Sequence, residues 1–141
     1  MRILIPLLLS LIALVGCGRG DNAGPSREER MKPRIAVTND AVTMRRAPAA
    51  SAFIDPQGVL KIDDIQVPQS PDNTALLRLY FGRMQMLRLQ TLGPEANSGK
   101  PGSVKAQPDA ETLALQTQIL QQVSPLKPYK ESFDNVQMEY R

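Results

Sequence analysis

Few side chains in this sequence can do covalent or acid–base chemistry, and their spacing narrows the choice further. There is one cysteine, Cys17, and no histidine in 141 residues. The lack of histidine removes the commonest general base at neutral pH and the commonest transition-metal ligand. A lone thiol cannot close an intrachain disulfide. Asp55, Asp63 and Asp64 cluster near a predicted turn and can be drawn as an acid pair or a calcium site. The alternating oxygen ligands and closing glutamate of a calcium loop are missing, so turn formation and solvation explain them better. Ser124 and Lys127 can be drawn as a Ser–Lys dyad, but Pro125 and Pro128 beside them mark the end of a helix. Arg78, Arg83 and Arg88 recur at fives, which scatters them around a helix axis and builds no single anion clamp. Gly-rich phosphate loops, Cys-x-x-Cys pairs and the Gly-x-Ser-x-Gly elbow do not occur. The sequence therefore predicts no catalytic residue, no metal site and no cofactor, in a protein that is not an enzyme.

Cys17 has another use. Met1-Arg2 is a short positive start, residues 3–15 are uncharged and apolar apart from Pro6 and Ser10, and Gly16 is small. That order is the layout of a secretory signal. The apolar stretch is also shorter than the roughly 20 residues a spanning helix needs. Leu14-Val15-Gly16-Cys17 resembles a bacterial lipobox. The resemblance implies that residues 1–16 are a lipoprotein signal peptide cut between Gly16 and Cys17. It further implies that Cys17 is lipidated through a diacylglyceryl thioether, often with a third acyl chain, such as palmitate, on the new amino group. One acyl chain binds a membrane only marginally, whereas two or three hold stably. Gly18 stands where an aspartate would favour retention in the inner membrane, so the family rule points to the outer membrane, facing the periplasm. An ordinary signal peptide with a coincidental cysteine, or an uncleaved membrane helix, is the alternative.

Charge adds little. Lys and Arg number 17 against 14 Asp and Glu, for a formal net charge of +3, and Arg2 leaves with the leader. So balanced a chain does not argue for nucleic acid. The expected partners are the membrane, through the lipid anchor, and a protein of the envelope. Residues 17–33 are rich in Gly, Asn, Ser and mixed charge, which predicts a lipidated N-terminus on a disordered tether.

Residues 34–141 predict one small α+β domain, an antiparallel β-meander covered by one or two α-helices. Ile35-Ala36-Val37-Thr38 and Ala41-Val42-Thr43-Met44 are β-prone runs around Asn39-Asp40, which suit a hairpin turn. Ser51-Ala52-Phe53-Ile54 leads into Asp55-Pro56-Gln57-Gly58, where proline and glycine favour chain reversal. Val59-Leu60-Lys61-Ile62 returns, and Ile65-Gln66-Val67 adds a short strand after Asp63-Asp64. Ser70-Pro71-Asp72 signals a helix start and Gly93-Pro94 its stop. Leu76, Leu77, Tyr80, Met84 and Leu87 share one side, suited to cover the sheet. Leu79 and Met86 form a second stripe with Leu89 further round, and this is the candidate interaction surface. Residues 93–108 read as an exposed, flexible linker. A second helix follows Asp109, with Leu113, Leu115, Ile119, Leu120 and Val123 as its apolar side. It is the natural cover for Leu79 and Met86, with an external partner as the alternative. Val136, Met138 and Tyr140 alternate as a final edge strand.

Three stretches together resemble the YggN-like family of uncharacterised bacterial periplasmic proteins. They are Ile35-Ala-Val-Thr-Asn-Asp-Ala-Val-Thr43, Ile54-Asp-Pro-Gln-Gly-Val-Leu-Lys-Ile-Asp63, and Leu76-Leu77 with Tyr80. The resemblance covers residues 34–90 and implies an envelope location without an activity. The reading that follows is a lipid-anchored envelope protein acting as a non-catalytic binding or structural module in the periplasm. The alternative is a carrier or sensor of a small apolar ligand such as a lipid, with methionines lining the pocket.

Overall fold

The computed structural model describes residues 26–141. Gly16, Cys17, the leader and most of the expected tether lie outside the described residues. Where the tether is described it is not featureless: Arg27–Met31 forms a short exposed helix, α1. Ser26 Oγ caps it by accepting from the Glu29 amide at 3.2 Å, and acidic Glu28 and Glu29 fill the first turn, where the helix dipole favours them.

The next strands form from local chemistry. β1 (Arg34–Val37) and β2 (Val42–Arg45) pair antiparallel with Val37 opposite Val42. Thr38 and Ala41 close the loop between them, the Thr38 amide donating to the Ala41 carbonyl at 3.0 Å. β3 (Ala52–Ile54) follows, then β4 (Leu60–Ile62) and β5 (Ile65–Gln66). The β3–β4 reversal is set by Asp55, whose Oδ1 accepts from the amides of Gln57 and Val59, each at 2.9 Å, and by Gly58 at φ 80°. Asp63 and Asp64 make the β4–β5 turn at φ 53° and 60°, the left-handed geometry that aspartate tolerates better than most residues.

The sheet is larger than the meander. β6 (Ser103–Ala106) and β7 (Val136–Glu139) extend it to seven strands in the order β5-β4-β3-β2-β1-β7-β6. β7 runs parallel to β1, with Ile35 opposite Val136, and antiparallel to β6. Two expectations are corrected here. The 93–108 segment is not simply a flexible linker, because it contains a paired strand. The Val136/Met138 strand is not at the edge, because β6 covers its outer side. Side chains alternate in register, so Ile35, Val37, Val42, Met44, Ala52, Ile54, Leu60, Val136 and Met138 all face one buried core.

That core is covered by α2 (Pro71–Leu92) and by the 3-10 segment Ser124–Asp134, with α3 (Ala110–Gln122) packed on both. The caps are those the residues predict. Ser70 Oγ accepts from the Asn73 amide at 3.2 Å, and Asp109 Oδ1 accepts from the Thr112 amide at 2.8 Å. Hydrogen bonding to Thr112 holds the Asp109 carboxyl below the usual carboxylate range. The 3-10 segment is pinned to the sheet by Ser132, whose hydroxyl donates to the Arg45 carbonyl at 3.0 Å, and by the Tyr129 hydroxyl on the Ala50 carbonyl.

Candidate functional site

α2 has two apolar sides, and the fold uses one. Leu76, Leu77, Tyr80, Phe81, Met84, Arg88 and Leu92 are buried. Ala75, Leu79, Gly82, Met86 and Leu89 lie around the helix at roughly 170° from the centre of that buried group, at 3.6 residues per turn. Leu79 is 54%, Met86 55% and Leu89 51% exposed. Ala75, Leu79, Gly82 and Met86, flanked by Arg78 and Arg83, line a shallow groove. Leu79 and Met86, the expected surface, are thus brought together.

The expected cover is not there. α3 packs on the other flank of α2, so the pairing of α3 with Leu79 and Met86 is corrected. Gln116 on α3 donates to the Tyr80 hydroxyl at 3.1 Å, Asn73 donates to the Gln122 carbonyl at 3.2 Å, and Arg83 pairs with Glu111. The buried residues of α3 are Thr112, Gln116 and Ile119, with Val123 at its C-cap also buried, whereas Leu113 is exposed. Leu115 and Leu120 pack against the core as expected, partly buried, while polar Thr112 and Gln116 are buried and Leu113 is not. Burial pushes the Tyr80 hydroxyl well above its ordinary value, an effect the Gln116 hydrogen bond partly opposes.

α2 is held rigidly against the rest of the chain. The Asp55–Gly58 turn abuts its first half so closely that a Cβ on Gly58 would stand 2.3 Å from the Thr74 carbonyl oxygen. Arg78 Nε donates to the Gln57 carbonyl at 3.2 Å, and Gln85 donates to the Thr38 carbonyl. At the other end Arg88 is 1% exposed. Its Nε donates to the Glu139 carbonyl at 2.9 Å, and its terminal nitrogens donate to Asn97 Oδ1 at 3.2 Å and to the Ala96 carbonyl. Desolvation lowers its proton affinity, and nearby Asp40 opposes that shift. This guanidinium ties α2, the start of the 93–108 segment and β7 together. It is why that segment is anchored, with Ala96 buried. A buried arginine was not expected. The scatter of Arg78, Arg83 and Arg88 was, and it holds: each serves a different contact.

The other sequence candidates do not converge. Asp55 and the Asp63-Asp64 pair sit at opposite ends of the β3–β4 hairpin, which corrects their expected clustering. Among the described residues no group of three or more Cys, Asp or Glu is placed to hold a metal. Ser124 and Lys127 are both exposed, at the start of the 3-10 segment. On the outer side of the sheet, Arg34 has a buried Nε without a hydrogen-bond partner. The concavity beside it is lined by Glu29, Lys32, Lys105, Asn135 and Gln137, mixed in sign, and nothing organises it around a ligand.

No helix among the described residues is long and apolar enough to cross a membrane. Comparison with family models, with curated proteins and with solved structures finds no match.

Proposed function

We propose that this chain is a lipid-anchored bacterial envelope protein, held by acylated Cys17 at the outer membrane and facing the periplasm, whose folded domain is a non-catalytic binding module. The observation behind the binding role is the outer side of α2, apolar along four turns and left uncovered by every other element among the described residues. Contiguous exposed apolar surface, unlike scattered apolar residues, marks an interaction site. The anchor is supported by the Leu14-Val15-Gly16-Cys17 run, and the envelope location by the YggN-like resemblance of residues 34–90.

The carrier reading needs a lined cavity between sheet and helices. Met84, the methionine best placed for it, is fully buried in the core, and it lines none of the concavities described above. The binding module is the better supported reading.

Two measurements test it. Cys17→Ser is expected to release the protein from membranes or to block its processing; unchanged fractionation and processing would refute the anchor. A photo-crosslinking residue placed at Leu79 in the producing cell is expected to give a discrete heavier adduct, with none from the same residue at exposed Lys130. No adduct at Leu79, or the same pattern at both positions, would refute the module.

A further inference from the structure

We infer that the outer side of α2 seats one amphipathic helix of another protein, which closes against Gly82 and offers a carboxylate to Arg78. This names the partner of the binding module and rests on that reading, but it does not depend on Cys17.

Spacing comes first. Ala75, Leu79, Gly82, Met86 and Leu89 follow one another at alternating steps of four and three residues. That is the seam by which one helix receives the side chains of another, a repeat near 3.5 residues. The seam runs about 21 Å along α2 at 1.5 Å per residue. A bilayer or a bound strand demands no such alternation. α3 cannot be the occupant, because it is already seated on the other flank.

Gly82 is a second, separate observation. Mid-helix glycine weakens a helix relative to alanine. Here nothing among the described residues requires it: beyond the helix's own backbone, a Cβ built at Gly82 meets no described atom within 4 Å, and its φ is ordinary. At Gly58, by contrast, the chain's own backbone forbids a side chain. A missing side chain at the middle of an exposed seam lets a partner backbone approach closely, the use of glycine that the domain itself leaves unexplained.

Charge selects the partner. The charged groups of the groove are both guanidinium groups, Arg78 and Arg83. Arg83 is already matched by Glu111, whereas Arg78 has, among the described residues, only the Gln57 carbonyl. They occupy the positions that flank the seam and choose its partner. A second copy brings no carboxylate on the flanks of its own seam, and the Glu111 beside that seam is already paired with Arg83. A helix with Glu or Asp on its flanks is attracted.

The test uses the full chain in phosphatidylcholine nanodiscs, with empty discs as the blank. The probe is a synthetic helical peptide with leucines at alternating three- and four-residue spacing and Glu at the flanking positions; its twin carries Lys there. The Glu peptide is expected to bind roughly tenfold more tightly than the Lys twin, and Arg78→Gln to shrink that preference. Gly82→Leu is expected to weaken the Glu peptide roughly tenfold, with an unchanged or raised melting temperature by circular dichroism. Equal affinity for the twins, no binding of either, or tighter binding by Gly82→Leu would overturn the inference. The last of these is the mark of a surface that is only greasy, or of lipid contact. Self-association abolished by Leu79→Glu, without peptide binding, would assign the seam to a second copy and equally overturn it. Peptide failure with the Leu79 crosslink intact removes the helix and keeps the module; loss of both removes the module.

Discussion

The inner and outer sides of α2 carry similar residues and have opposite fates. Leu77 and Met84 are fully buried against the sheet and Leu79 and Met86 are more than half exposed, although all four stand on one helix within three turns. Apolar residues on opposite sides of a helix leave it with little amphipathic character, so patterning marks the inner side only by its larger stripe, Leu76, Leu77, Tyr80, Met84 and Leu87. Orientation comes from contacts at its two ends. The Asp55–Gly58 turn fits only against a helix surface that admits the Gly58 backbone, and Arg88 reaches carbonyl groups of β7 and Ala96. The lesson is that the side of α2 left outside was set by steric fit and by one polar anchor, not by a lack of apolar character.

Substitutions can break or sharpen that contrast. Leu77→Ala leaves a void under the inner side and is expected to destabilise the domain by about 3 kcal/mol, read as a lower urea midpoint with unchanged slope. Gly58→Ala adds a side chain at positive φ against the Thr74 carbonyl, and about 2 kcal/mol of stability is expected to go. A thermal melt of Gly82→Ala should move the opposite way, with a gain of about 1 kcal/mol from helix propensity. The two glycines then differ in sign, one required by the fold and the other costing it. Leu79→Gln combined with Met86→Gln should change stability by less than about 0.5 kcal/mol while removing the adduct given by a photo-crosslinking residue at Ala75 in the same groove. A large loss of stability in that double variant would mean that the outer side is core after all.

Much of residues 34–92 was legible because it is built from local rules. Asn39-Asp40, Asp55-Pro56-Gln57-Gly58, Asp63-Asp64 and the Ser70-Pro71 cap each fix a few torsions within a few residues, and each stands where the sequence predicts. The C-terminal third was harder. The pairing of β7 with β1 joins Val136 to Ile35 across about a hundred residues, and no local pattern carries that information. β6 was hidden inside a Gly/Pro/Ser-rich stretch, since an edge strand with exposed Ser103 and Lys105 has little apolar signature. The second stripe on α2 was legible, but its cover was not. Reading α3 by its leucines missed that Thr112 and Gln116 face inward, with Gln116 held by the Tyr80 hydroxyl. A buried polar side chain is invisible to hydrophobic periodicity until its partner is known. The same holds for Arg88.

The parallel join of β7 to β1 has a consequence for the order in which the molecule is completed. β7 is made after every strand it unites, yet it stands between β1 and β6. Until it arrives, β1 presents a bare hydrogen-bonding edge, and the meander cannot be sealed by its neighbours. The domain therefore closes only once residues 136–139 have joined β1 on one side and β6 on the other.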